Sequence, residues 1–185
     1  EDIARSIAAL NNGGTLLYPT DTIWGIGCDA LSEAAVEQVF ALKNRPKEKS
    51  LIVLLADARD VLQYVAAPHP DIIDIIEQFD RPTTVVYEGA LDFPDNVVAA
   101  DGSIAIRVTT DPFCKALIKR FRKPIISTSA NLSGAPSAPR FMDIDPAIVN
   151  GVDYAVQYRR DDQSTRPASR IVRIQDDGSL EILRG

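Results

Sequence analysis

The sequence predicts an α/β fold: one single-domain twisted mixed sheet with packed helices, spanning residues 1–185. Three observations carry this. Segments with apolar residues at helical spacing alternate with short runs rich in β-branched residues. The alternation is irregular, which argues against a clean doubly wound repeat. With 185 residues, 45% of them apolar and 25% charged, the chain has the composition of an average globular domain and the length to build a core without staples.

Ile3, Ile7 and Leu10 lie on one face of a helix over residues 2–12, and Gly13 and Gly14 can supply its left-handed cap. "TLLYP" reads as a buried strand. Ser32 is the N-cap of a second helix that carries Val36, Val39, Phe40 and Lys43 on one stripe and stops before Pro46. "SLIVLLA" is the next strand, followed by helices near 58–66 and 70–79. "TTVVY" and "IAIRV" are strands, and Asp111 with Pro112 opens a helix reaching about Phe121 and burying Phe113, Ala116, Leu117 and Phe121. "KPIIST", "YAVQY", "SRIVRIQ" and "SLEILR" complete the sheet, the last pair joined at "DDG" in a hairpin.

Composition excludes several classes. A net charge of −6 argues against a protein that holds nucleic acid mainly by bulk charge. The apolar runs are too short to span a membrane, and the acidic amphipathic start "EDIARSIAALNNGG" is the wrong pattern for a secretory or transit signal. Cys28, Cys114 and the single His69 cannot assemble a zinc ligand set, so no metal site is expected and a cytoplasmic location is the default. A Ser-His-Asp set would have to use His69, which sits in the proline-bracketed "APHPD" and reads as a solvent-facing loop residue. The Walker phosphate loop and the Rossmann glycine fingerprint are both missing.

Four loops carry chemistry. "YPTDTIWGIG" runs from a strand into Thr20, Asp21 and Thr22 followed by two glycines, a pattern that serves either a close-approach ligand site or a plain turn. In "LKNRPKEKSL", Lys43, Arg45, Lys47 and Lys49 occupy every second position. An ammonium on the apolar stripe has no reason to sit there unless it snorkels out or meets an anion. "STSANLSG" places hydroxyls and an amide at a strand end, where α/β sheets hold ligands, and Ser129 and Asn131 face one side if extended. In "TRPASRIVRI", Arg166, Ser169 and Arg170 lead into a strand, which says little alone.

Taken together and in order, "GGTLLYPTDTIWGIGCDA", "ALKNRPKEKSLIVLLA", "IAIRV" and "PIISTSANLSGAPSA" resemble the YrdC family of threonylcarbamoyl-AMP synthases. The resemblance implies a RibB-type fold with a concave ligand cavity. It implies an enzyme, a nucleotidyltransferase, that joins L-threonine, bicarbonate and ATP into threonylcarbamoyl adenylate and pyrophosphate, with Mg2+ on the phosphates. A tRNA-modifying transferase machinery would take the product onward. By the same resemblance Lys43, Arg45, Ser129 and Asn131 are catalytic, and Thr22, Arg45, Lys49, Thr84, Arg107, Ser129, Asn131 and Ser169 bind substrate. Arg45 suits bidentate phosphate contact, and Lys43 is a point charge beside it.

The chain also departs from the family pattern. "FDRPTTVVY" keeps Pro82 and Thr84 but loses a glycine turn, Trp24 stands where tyrosine is common, Pro139 replaces a small hydroxyl residue, and Arg170 follows Ser169 where threonine is usual. The sequence runs out at "EILRG", which matches the short family form without a further C-terminal domain. Two other readings stay open: a double-stranded RNA or tRNA binding protein, using the basic loop and "KALIKRFRK", and a YciO-like paralogue with weak synthase activity.

Overall fold

Helix α1 (Asp2–Asn11) buries Leu10 and stops at Gly13, which takes φ +75° while Gly13 N and Gly14 N donate to the carbonyls of Leu10 and Ala9. The computed structural model that shows this describes residues 1–44, 51–132 and 134–185. Strand β1 (Leu16–Tyr18) is wholly buried. The next segment departs from the sequence reading: Gly25–Gly27 is a strand, β2, paired antiparallel to β1. Glycine is depleted in strands, so propensity gave no signal for it. Packing requires glycine here, because a Cβ at Gly27 would lie 2.6 Å from both Ile126 O and Tyr18 Cε1.

Helix α2 (Glu33–Lys43) starts as predicted, with Ser32 Oγ accepting from Ala35 N at 3.2 Å. It ends at Asn44 in the left-handed region, φ 54°. Strand β3 (Ile52–Leu55) follows. The predicted helix near 58–66 resolves into a 3-10 turn, Ala58–Asp60, and a short α3 (Val61–Tyr64), and α4 is confined to Ile72–Glu77. Strands β4 (Thr83–Tyr87) and β5 (Ile104–Val108) fall on the predicted residues. Helix α5 (Pro112–Phe121) is capped by Asp111 and buries Phe113, Cys114, Leu117, Ile118 and Phe121, whereas Ala116, predicted buried, faces solvent. Strand β6 (Ile125–Ser129) comes next.

Helix α6 (Pro146–Gly151) was not anticipated, although Asp145 caps it and Pro146 opens it by the same signature as Asp111 and Pro112. The predicted strand "YAVQY" shrinks to β7 (Tyr154–Ala155). Side chains take the backbone groups that a longer ladder would need: Asp2 accepts from Gln157 N and Tyr158 N, and Arg160 donates to the carbonyls of Ala155 and Val156. Strands β8 (Arg170–Ile174) and β9 (Leu180–Arg184) form the predicted hairpin, turned at Gly178 with φ +85°. His69 is half-buried rather than solvent-facing. Its Nδ1 accepts from Asp71 N, so Nε2 donates to Asp176 O and ties its loop to this hairpin.

The strands form one mixed sheet in the order β7-β1-β2-β6-β3-β5-β4-β8-β9. The pairs β1–β7, β3–β5 and β4–β8 are parallel, and the other neighbours are antiparallel. Register sorts the side chains. Val53, Val85, Ile106, Ile126 and Val172 share one face and are buried in the core. Leu54, Thr84, Arg107, Ile171 and Ser127 project to the other face, which carries the candidate site.

Candidate active site

On that second face lies a cavity of 360 Å³, walled by Thr22, Trp24, Ile52, Arg107, Ser127, Ser129, Ser169 and Arg184 among others. A larger pocket of 570 Å³, lined by Asp57, Glu77, Asp80, Arg81 and Lys115 among others, holds Asp21 but none of Thr22, Lys43, Thr84, Arg107, Ser129, Asn131 or Ser169. The smaller cavity is where the chemistry converges.

Arg107 is 2% exposed. Its Nη2 lies 3.3 Å from Asp21 Oδ1, but the contact is not an aligned hydrogen bond, and Nε and Nη2 have no acceptor. A buried guanidinium is held by charge-assisted bonds to anions, and Asp21 supplies one only as an ion pair at 3.3 Å without an aligned hydrogen bond. Arg184 reaches the same cavity, with Nε and Nη2 donating to Ser169 O at 3.0 and 2.6 Å. Burial first, and then the charge of Arg107, push its guanidinium below its ordinary pKa. Two like charges facing one cavity favour a negative guest between them.

Arg184 was not legible in the sequence. In a regular strand it would share a face with Ile182, but the β8–β9 ladder slips between Ile171 and Val172, which pair with Arg184 and Ile182. That bulge breaks the alternation and re-aims the arginine. The hydroxyls on the neighbouring strands are tied together: Ser169 Oγ lies 2.7 Å from Thr84 Oγ1, and Thr84 is fully buried beneath the wall.

Lys43 is 2% exposed and reaches the end of β6, where Nζ donates to Thr128 Oγ1 at 3.0 Å, Ser129 O at 2.6 Å and Ser129 Oγ at 3.3 Å. The ammonium on the apolar stripe thus meets strand-end oxygens. Because Ser129 Oγ accepts from Lys43, its own proton is available to the cavity. Asn131 does not share a face with Ser129: the chain turns, Asn131 N donating to Ser129 O at 2.9 Å. Its Nδ2 donates to the carbonyls of Leu132 and Ala135, while Oδ1 is buried without a partner. Arg45, Lys47 and Lys49 lie outside the described residues.

Trp24, 5% exposed, packs its ring 5.0 Å from Phe141 and closes one side. Arg170 leaves the cavity alone. It projects opposite to Ser169 and Ile171, donates to Thr83 Oγ1 and lies over the Phe79 ring. Burial raises the thiols of Cys28 and Cys114 and the Tyr18 phenol well above their ordinary pKa, so none is poised as a nucleophile. Among the described residues no group of three His, Cys, Asp or Glu could hold a metal ion, and no helix is long and apolar enough to cross a membrane. Lys119, Arg120, Arg122 and Lys123 of the basic helix are exposed, the wet side of α5 and its end.

A model of the Sua5, YciO and YrdC family, described as telomere recombination, matches residues 8–185. The chain belongs to this family. Within the Sua5/YciO/YrdC family it is 33% identical to a threonylcarbamoyl-AMP synthase of Xanthomonas euvesicatoria pv. vesicatoria, over 99% of this chain and 97% of that one. It is 39% identical to the threonylcarbamoyl-AMP synthase of Pseudoalteromonas translucida, over 83% of this chain and 84% of the relative. The structure of P. abyssi Sua5 complexed with L-threonine superposes with a TM-score of 0.83 at 21% identity, covering 100% of this chain and 54% of the other. The chain thus spans about half the length of that Sua5. The solved structure shares this chain's fold, a mixed sheet with packed helices.

Proposed function

We propose that this protein is an L-threonylcarbamoyladenylate synthase, an ATP-using enzyme that feeds the threonylcarbamoyladenosine modification of tRNA. The observation that carries the reading is the buried Arg107 on the wall of a cavity shared with Arg184, Ser129 and Thr22, its Nε and Nη2 without a hydrogen-bond acceptor in the protein. Relatives named threonylcarbamoyl-AMP synthase at 33% and 39% identity support it.

Threonine's amine adds to bicarbonate and releases water, giving a carbamate. A carbamate oxygen then attacks the α-phosphorus of ATP, the bond from that phosphorus to the bridging oxygen of the β-phosphate breaks, and pyrophosphate leaves. No protein nucleophile is required. Arg107 and Arg184 stabilise the carboxylate and phosphate oxygens, Lys43 fixes Ser129, and Ser129 donates to an oxygen of the bound substrate. Thr84 holds Ser169 on the wall. A Mg2+ accompanying ATP has no cluster of protein ligands among the described residues, and Asp21 is already committed to Arg107. No step here runs through the metal.

Pyrophosphate release from ATP, with threonine and bicarbonate omitted in turn, tests the proposal. Release that needs both is the expected result, and equal release without either identifies a different nucleotide reaction.

A further inference from the structure

Thr20 makes three hydrogen bonds through one hydroxyl, and chemistry fixes their directions. Its Oγ1 lies 2.7 Å from Ile23 O, a carbonyl that only accepts, so Thr20's single proton goes there. Thr22 N donates to Thr20 Oγ1 at 3.0 Å. The remaining contact, 3.1 Å between Thr20 Oγ1 and Thr22 Oγ1, then has one solution: Thr22 is the donor. Thr20 is 2% exposed, so water does not compete for these positions. Its carbonyl accepts from Arg159 Nη1 at 3.3 Å, and Arg159 is itself paired with Asp111, which holds the turn in place.

The geometry points to Thr20 as a positioning residue for substrate choice: it keeps the proton of Thr22, so that Thr22 presents only lone pairs to the cavity and takes the side-chain hydroxyl of an amino acid by accepting its proton. The inference rests on the reading of this cavity as a threonine site. Thr22 lines the cavity, whereas Thr20 does not. A carboxylate or phosphate oxygen placed at Thr22 meets lone pair against lone pair. On the other walls the polarity is reversed, with the guanidinium cations of Arg107 and Arg184 and the proton of Ser129. The cavity therefore sorts a ligand end for end, its donor at Thr22 and its anionic groups at the arginines.

The experiment measures KM for L-threonine, KM for ATP and kcat on the unaltered protein, Thr20→Val and Thr20→Ser. Valine keeps the volume and removes the acceptor of Thr22's proton, while serine keeps it. Thr20→Val is expected to raise the threonine KM about tenfold with the ATP KM within about twofold, and Thr20→Ser to recover most of the loss. An unchanged threonine KM, an equal rise for ATP, or no rescue by serine overturns the inference. A ligand series on the unaltered protein covers the case in which Thr20→Val does not fold. The 3-fluoro analogue of threonine, whose fluorine accepts but cannot donate, is expected to bind more weakly than L-2-aminobutyrate, and equal or tighter binding overturns the inference. If the unaltered protein shows no release dependent on threonine and bicarbonate, the synthase reading falls and takes the inference with it. If release is present but indifferent to Thr20→Val, only the inference falls.

Discussion

Asp21 Oδ1 and Arg107 Nη2 stand 3.3 Å apart, both side chains largely buried, one on the loop after β1 and the other on β5. The carboxylate stands beside the guanidinium without satisfying it, and Arg107 lines the cavity. Arg107→Lys keeps the charge but loses the planar fork. Its KM for an anionic substrate, threonine or ATP, should rise about tenfold or more, since bonds to charged groups are each worth about 1.5–3 kcal/mol. Steady-state kinetics decide this. Unchanged KM values for both would show that Arg107 touches neither.

Substitutions along the basic stretch should be unequal in effect. Lys43→Ala removes a buried ammonium and its hydrogen bonds to Thr128 Oγ1 and Ser129 O, a loss of about 1–3 kcal/mol. It should lower the melting temperature by roughly 3–10 °C and turnover by about tenfold. Arg45→Ala should lower turnover or ATP affinity similarly, and Lys47→Ala much less. An RNA-binding protein behaves differently, each lost cation weakening RNA binding alike and making its salt dependence shallower by about one unit. Wild-type synthesis in Lys43→Ala, with uniform loss of RNA binding across the series, would reverse the assignment.

Gly27→Ala tests the thin strand. The added methyl meets a carbonyl oxygen and a tyrosine ring at 2.6 Å, on a strand held between β1 and β6. Overpacking of this kind destabilises by about 1–3 kcal/mol, and thermal or urea unfolding should show it. Stability equal to the parent would mean that β2 does not sit where it is described.

Asp2 gives a pH dependence with a defined sign. Burial raises its pKa, but hydrogen bonds from Gln157 N, Tyr154 Oη and Tyr158 N outweigh that and hold it below the usual carboxylate value. A group with a depressed folded pKa contributes stability above the unfolded value and loses it as the pH falls through the folded one. Unfolding free energy should therefore decline below about pH 4, and Asp2→Asn should be less stable at neutral pH with a flatter acid limb. Parallel limbs for the two proteins would remove Asp2 from the account.

The sequence by itself determined those features whose cause is local. Ser32 and Asp111 cap α2 and α5, Gly13 and Gly178 turn the chain, and the β-branched runs at 83–87, 104–108 and 125–129 are strands, each because neighbouring residues suffice to specify them. The family motifs were legible for the same reason, as contiguous strings. Tertiary structure decided what depends on distant partners. Gly25–Gly27 becomes a strand because β1 and β6 pair with it on either side, and at Gly27 they leave no room for a Cβ. Arg184 enters the cavity through a bulge in a ladder that the periodicity of its own strand cannot reveal. Lys43 is buried because strand-end oxygens far along the chain accept its protons, and Thr22's hydroxyl acquires a direction because Thr20's proton is already taken by Ile23 O. Periodicity can put a side chain on a face. Where its hydrogen-bond donors and acceptors point depends on which partners the fold brings to it, and in this cavity that decides which end of a ligand each residue can hold.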